Sequence, residues 1–130
     1  MKRHDPHPVL PAYEAVFAHG VEVPATARQL YVSGQVGVDR EGRTVEGGFE
    51  AQCQQAIANV EAVLAAAGMA LGDIVKVNIY LTRREDIPNL RAVREEKLAV
   101  APAVTVVLVA GLHAPDWLVE VEAIAASPQP

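Results

Sequence analysis

Apolar and polar residues alternate strictly along several short stretches of the chain. The clearest are residues 30–36 and 75–81, where apolar residues occupy every second position. A period of two is typical of a strand with one buried face. Further apolar stretches at 13–23, 102–111 and 117–126 bring the prediction to five strands. The stretches 13–23 and 30–36 are separated by a short turn-like segment, so we expect them to pair.

Two other segments repeat their apolar residues at steps of three and four. Residues 49–67 carry a stripe of this kind and are followed by Gly68, which indicates a helix and its end. Residues 86–98 predict a second, more polar helix. The order β-β-α-β-α-β-β favours an α+β fold with both helices on one face of a mixed sheet. We expect the opposite face to be apolar and uncovered, which predicts self-association.

The length of 130 residues suits one domain with one core. Residues 1–11 are rich in proline and predict a flexible N-terminal arm. Residues 12–126 form the predicted domain, and residues 127–130 a tail.

Composition removes several classes of function. The net charge of −5 comes with scattered Lys and Arg residues, so no basic stripe is available for nucleic acid. No apolar run approaches the roughly 20 residues that span a bilayer, and no apolar segment follows the N-terminal basic residues. We therefore expect a cytoplasmic protein without a membrane partner. The single cysteine, Cys53, lies on the apolar stripe of the first helix, and His4 and His7 lie in the arm, so no metal site is predicted.

Three segments in order resemble the Rid family, also called YjgF. They are LYVSGQVGVD at 30–39, NVEAVLAAAGMALGDIVKVNIYL at 59–81 and VEVEAIAA at 119–126. The resemblance implies a chorismate-mutase-like fold, a homotrimer, and clefts between subunits that bind small carboxylates. It also implies hydrolysis of imines and enamines to 2-oxo acids and ammonia, without a metal or organic cofactor.

Part of the family's site is kept. The SGQ signature is present and brings Ser33 and Gly34, which the resemblance implies bind a ligand through a hydroxyl and the backbone. The glutamate of the last strand is Glu120, the candidate catalytic residue, since a carboxylate there could orient or deprotonate a water. Glu120 and Glu122 point to the same side of their strand. The alternative for both is a solvated strand face.

Other family positions have changed. The arginine that grips the substrate carboxylate is replaced by Val104, the cysteine on the same strand by Val106, and a tyrosine near the end of the first strand by Phe17. These changes imply a less polar pocket. Val104 and Val106 would lie beside Glu120 if the last two strands pair. Arg91, on the second helix, is either a surface residue paired with Glu95 or a replacement for the missing anchor.

Two hypotheses follow. The chain is a hydrolase that acts on an imine, an enamine or a related C–N bond of a substrate other than simple 2-imino acids. Alternatively, it is a non-catalytic trimer that binds or senses a small molecule. Whether it is an enzyme stays open at this point. An endoribonuclease activity, attributed to some relatives, has no support in the charge balance or in any pair of acid–base histidines.

Overall fold

A computed structural model describes residues 1–10, 17–98 and 101–128. It contains six strands, two α-helices and two single turns of 3-10 helix. The strands are β1 (Lys2–His4), β2 (Gly20–Glu22), β3 (Arg28–Val36), β4 (Ile74–Leu81), β5 (Ala103–Leu108) and β6 (Val119–Ser127), the helices are α1 (Gly48–Ala66) and α2 (Ile87–Lys97), and the 3-10 turns are Leu71–Asp73 and Arg84–Asp86.

Helix α1 buries the stripe that its sequence predicts and stops where the glycine predicts. Gly68 has a φ of 71°, in the left-handed region that favours glycine. Its N–H donates to the Ala65 carbonyl at 3.0 Å, and the N–H of Met69 donates to the Leu64 carbonyl at 2.9 Å. These two bonds satisfy carbonyls that the helix end leaves open. The chain can therefore turn sharply into β4.

Four strands form a mixed sheet in the order β3-β6-β4-β5. The pairs β3–β6 and β6–β4 are antiparallel, and β4–β5 is parallel. Alternate residues of β4 and β6 are buried and share one core with the buried faces of both helices. The α+β prediction with two helices and a mixed sheet is thus confirmed.

The predicted pairing of 13–23 with 30–36 is wrong where the structure describes it. Residues 11–16 lie outside the described residues. Gly20–Glu22 pair with Lys2–His4 and not with β3, so part of the expected arm is a strand. Side chains support this pairing: His4 Nε2 lies 2.9 Å from Glu22 Oε1, and the His19 N–H donates to Asp5 Oδ1 at 2.8 Å. At the other end, β6 runs through Ser127, one residue beyond the expected domain.

The sheet face opposite the helices is not apolar as expected. Alternation along β4 and β6 places their polar residues on this face, the open face. The side chains that occupy it include Ser33, Lys76, Asn78, Tyr80, Glu120 and Glu122. Hydrophobic exposure of this face is therefore a weaker reason for self-association than the sequence indicated.

Candidate functional site

The SGQ segment lies at a bulge in β3. Val32 pairs with Ala123 and Gln35 pairs with Val121, so three steps along β3 match two along β6. The extra residue falls at Ser33 and Gly34. A bulge of this kind bends the strand and changes the direction of its side chains. Ser33 is consequently exposed on the open face.

The carboxylate of Glu120 lies directly against Gly34. A Cβ atom at position 34 would come within 2.8 Å of the Glu120 carboxyl carbon, which real side chains do not tolerate. Any other residue at this position would displace Glu120. The glycine of the signature therefore makes room for the glutamate of the last strand. This places a half-buried carboxylate beside the backbone of the bulge.

Glu122 occupies a different environment from Glu120. The Tyr80 hydroxyl donates to Glu122 Oε1 at 2.5 Å, and Asn78 Nδ2 donates to the same oxygen at 3.0 Å. These two bonds hold the pKa of Glu122 below its usual range, with the Tyr80 bond the larger cause. The same bond is the main reason why the pKa of Tyr80 is raised. Glu122 is thus a fixed anion at neutral pH.

A shallow depression of about 330 Å³ surrounds Glu122 and includes Ser33, Asn78 and Lys76. Sequence reasoning missed Asn78, Tyr80 and Lys76 as neighbours of the site. The alternation of polar residues along β4 was the sequence signal for these neighbours. It does not show which residues of β6 they face, because the contacts join residues more than 40 positions apart.

The valines at the changed family positions face the other way. Val104 pairs with Val77 and Val106 with Ile79, and these two β4 residues are buried in the core. Val104 and Val106 are partly buried and pack against the same core. Strand β4 separates β5 from β6. The prediction that the last two strands pair and bring these valines beside Glu120 is therefore wrong within one chain.

Val106 and Arg91 meet in a groove between α2 and β5. The groove has a volume of about 470 Å³. Its lining also includes Ile87, Pro88, Leu90 and Arg94. Arg91 is exposed and Arg94 is half-buried. The groove joins a cationic helix surface to an apolar strand surface.

Phe17 lies beside β5, the strand at one end of the sheet order. The next residue, Ala18, forms a parallel bridge with Ala103, and its N–H donates to the Pro102 carbonyl at 2.8 Å. The Phe17 ring stands edge-on to the ring of His19, with centroids 5.3 Å apart. One chain therefore presents the candidate residues in two places, the bulge with Glu120 and the β5 edge with the groove.

The sequence and fold match known proteins over most of the chain. The profile of the family described as endoribonuclease L-PSP matches residues 10–127. A 2-iminobutanoate/2-iminopropanoate deaminase of Salmonella typhimurium is 34% identical over 119 residues, which cover 88% of this chain and 90% of the deaminase. A RutC family protein of Pyrococcus horikoshii is 33% identical over 97 residues, covering 74% of this chain and 77% of its own.

Solved structures agree with this match. A protein of unknown function of the conserved Rid protein family, YyfB from Yersinia pestis, has a TM-score of 0.85 at 29% identity, covering 97% of this chain and 98% of its own. RidA from an Antarctic Psychrobacter has a TM-score of 0.71 at 37% identity, covering 88% and 91%. The chain belongs to the Rid family.

Two amides of α1 hold the loops that flank the site in this Rid protein. Asn59 Nδ2 donates to the carbonyls of Val36 and Val38, at 3.1 and 3.0 Å. Gln52, only 5% exposed, donates to the Asp116 carbonyl at 3.0 Å and accepts from the Leu118 N–H at 2.8 Å. Neither residue was predicted from the sequence to contribute to the site. The sequence feature that could have indicated them is a polar residue within or beside the apolar stripe of a helix.

No group of three or more His, Cys, Asp or Glu side chains within residues 1–10, 17–98 and 101–128 is arranged to hold a metal ion. Cys53 is buried in the core as expected, and this burial raises the pKa of its thiol to about 12. None of the helices in the same ranges has the length and apolar character needed to cross a bilayer.

Proposed function

We propose that this Rid protein hydrolyses an imine, an enamine or a related C–N bond, on a substrate other than simple 2-imino acids. The reaction would take place in clefts between the subunits of a homotrimer in the cytoplasm. The observation that carries the proposal is the half-buried carboxylate of Glu120 held against Gly34 at the β3 bulge. The similarity to 2-iminobutanoate/2-iminopropanoate deaminases supports the reaction class.

Glu120 has the chemistry that such a hydrolysis needs. The carboxylate accepts a proton from a water as the water oxygen attacks the imine carbon, and the C=N bond becomes a C–N single bond. The carboxyl group passes this proton to the nitrogen, which gives a carbinolamine. The carboxylate then takes the proton of the new hydroxyl group and passes it to the nitrogen too, so that the C–N bond breaks, the carbonyl forms and ammonia leaves. The products are the carbonyl compound and ammonia. Glu122 suits this role less well, because Tyr80 and Asn78 already donate to its carboxylate.

Val104 is the reason to exclude simple 2-imino acids. A guanidinium at this position would bind the substrate carboxylate through two parallel charge-assisted bonds. Hydrogen bonds to charged groups are worth about 1.5–3 kcal/mol. The valine supplies no donor. We therefore expect little hydrolysis of 2-iminobutanoate or 2-iminopropanoate.

A trimer would complete the site. Within one chain the bulge lies at β3 and the α2–β5 groove at the opposite edge of the sheet, so neither part alone encloses a ligand. A neighbouring copy that brings its β5 edge to the bulge would join them. Light scattering should give about three times the 13.9 kDa of one chain. A monomer mass at micromolar concentration would contradict this part of the proposal.

Exchange of Glu120 for glutamine tests the chemistry. Imines are generated in situ from a panel of amino acids and amines by an oxidase, and ammonia release is followed. For any imine that is hydrolysed, Glu120→Gln should reduce the rate about a hundredfold or more, since it removes proton transfer and keeps shape. Glu122→Gln is the matched control on the same strand and face, and should retain the rate within a few-fold. Full activity of Glu120→Gln would refute the role of this carboxylate.

The second candidate function is a non-catalytic small-molecule binding or regulatory trimer. The specific observation in its favour is the pair Val104 and Val106, which supply neither charge nor a reactive group to the α2–β5 region. This alternative predicts a ligand that binds equally to the parent protein and to Glu120→Gln and is turned over by neither.

A further inference from the structure

The depression around Glu122 on the open face contains a carboxylate oxygen that the fold leaves unused. Both bonds to this carboxylate, from Tyr80 and Asn78, go to Oε1. Within residues 1–10, 17–98 and 101–128, no donor reaches Oε2. The two donors thus fix the carboxylate and leave its second oxygen available to a ligand. Such a ligand must donate a hydrogen bond, because an ionised carboxylate only accepts.

Two further acceptors lie in the same depression. Asn78 must turn its Nδ2 group towards Glu122 in order to donate, so its Oδ1 atom is left to accept from elsewhere. The Ser33 hydroxyl is on an exposed residue and makes no hydrogen bond to any other residue in the described ranges. A carboxylate oxygen, an amide oxygen and a hydroxyl oxygen are therefore all available to one donor group.

The lysine of the depression does not neutralise Glu122. Lys76 stands on β4, two residues before Asn78, and its ammonium group donates to Thr105 Oγ1 at 2.8 Å. Thr105 is on β5, which lies on the other side of β4 from Glu122. In the part of the chain that the structure describes, no ion pair joins Glu122 to a cation. Its negative charge is therefore left for a ligand.

We propose that the depression around Glu122 binds the primary ammonium group of a small amine. Such a group has one positive charge and three N–H donors, which match the acceptors of Glu122, Asn78 and Ser33. Tyr31 and Ile124 also line the depression and offer hydrocarbon surface to a short carbon chain. The volume of about 330 Å³ is at the small end of ligand pockets. The site goes beyond the proposed function, in which Glu122 takes no part.

The support of the carboxylate favours this ligand. The bonds from Tyr80 and Asn78 hold the pKa of Glu122 below its usual range, so the group is an anion at neutral pH. Hydrogen bonds between ionised partners are stronger than those between neutral ones. Because the side chain is already fixed, its ordering costs little when a ligand binds. A ligand that lacks either the charge or the N–H donors should bind more weakly.

Butylammonium and tetramethylammonium are the probes. They are isomers with the same charge, but only butylammonium has N–H donors. In an NMR titration of the full-length protein at constant ionic strength, butylammonium should shift the Asn78 side-chain amide and the Ser33 backbone amide until they saturate. Tetramethylammonium and the uncharged 1-butanol should bind at least about tenfold more weakly. Equal affinity for butylammonium and either control, or no saturable shift, would overturn the proposal.

Variants locate the amine. Glu122→Gln should weaken butylammonium binding about tenfold or more, and Ser33→Ala by a smaller factor. Ser33 is exposed, so its variant serves if Glu122→Gln does not fold. Glu46→Gln removes the same charge from an exposed position outside the depression and is the matched control. A loss in Glu46→Gln equal to that in Glu122→Gln would mean that net charge attracts the probe, and would refute the site.

The same titration separates this site from the proposed hydrolysis. Butylammonium contains no C=N bond, so its binding is measured whether or not the protein hydrolyses imines. Glu120→Gln should bind butylammonium within a few-fold of the parent protein, although we expect it to lose hydrolysis. A larger loss of binding in Glu120→Gln than in Glu122→Gln would place the amine at Glu120 and refute the proposal. Saturable binding at Glu122 without any hydrolysis would support this site and count against the hydrolase.

Discussion

Gln52 is the clearest test of how the helix holds the loop before β6. Its amide donates to the Asp116 carbonyl at 3.0 Å and accepts from the Leu118 N–H at 2.8 Å. Helix α1 and residues 116–118 are far apart in sequence, so this amide joins two separate parts of the fold. Glu120 lies only two residues after Leu118, near the start of β6.

The expected cost of Gln52→Ala follows from these contacts. Each intramolecular hydrogen bond contributes about 1 kcal/mol net, so two bonds give about 2 kcal/mol. The lost buried methylene adds about 0.8 kcal/mol. We therefore expect the free energy of unfolding to fall by about 2–3 kcal/mol. Gln54→Ala, on the exposed side of the same helix, should change it by less than about 0.5 kcal/mol.

Urea unfolding followed by circular dichroism measures both variants, at one chain concentration because the stability of an oligomer depends on it. Gln52→Ala should lower the midpoint without changing the slope. Gln52→Glu keeps the acceptor for Leu118 but loses the donor and buries a charge, so its deficit should shrink as pH falls and the carboxyl protonates. Equal stability of Gln52→Ala and Gln54→Ala would refute the reasoning.

Three further predictions concern residues around the core and the open face. Tyr80→Phe removes the main cause of the lowered pKa of Glu122, so this pKa should rise towards its ordinary value in an NMR titration. In the parent protein, the Glu122 carboxylate stabilises the fold at pH values above its unfolded-state pKa. This stabilisation is lost as the pH falls through the pKa of Glu122 in the folded protein. Gly37→Ala should destabilise the fold by more than about 2 kcal/mol in the same urea assay, since a Cβ there would meet the Gln52 backbone; a neutral effect would contradict this contact. Cys53 should resist Ellman's reagent at pH 8 in the folded protein and react once urea unfolds it, because its thiol pKa is about 12; rapid labelling of the native state would show that the core opens.

The elements of this fold were predictable because local patterns specify them. The stripe of α1 and the alternation of β4 appear in the sequence with little error in their bounds. Partners of strands were less predictable, because pairing depends on surfaces far apart in the chain. The sequence predicts that Gly20–Glu22 end a strand beside β3, but these residues pair with Lys2–His4 of the N-terminal arm.

The site was predicted in part for the same reason. Glu120 and Gly34 were both singled out, but their direct contact depends on a bulge in the register of β3 against β6. Val104 and Val106 were placed beside Glu120 on the assumption that successive strands pair. Strand β4 lies between β5 and β6, so Val104 and Val106 are not beside Glu120 within one chain. Sequence patterns specify which side of a strand is buried, but not which strand lies next to it.

The outer edge of β5 has a consequence for handling the protein. Ala103–Leu108 contain no charge and no proline, and within the described residues only the bridge at Ala18 covers this edge. Its exposed side chains include Val107 and Leu108. Uncovered edges of this composition are templates for cross-β growth, which proteins usually prevent with charges or bulges. Chains left with β5 bare, at high dilution or in mild urea, should therefore be the species that seeds fibrils and precipitates.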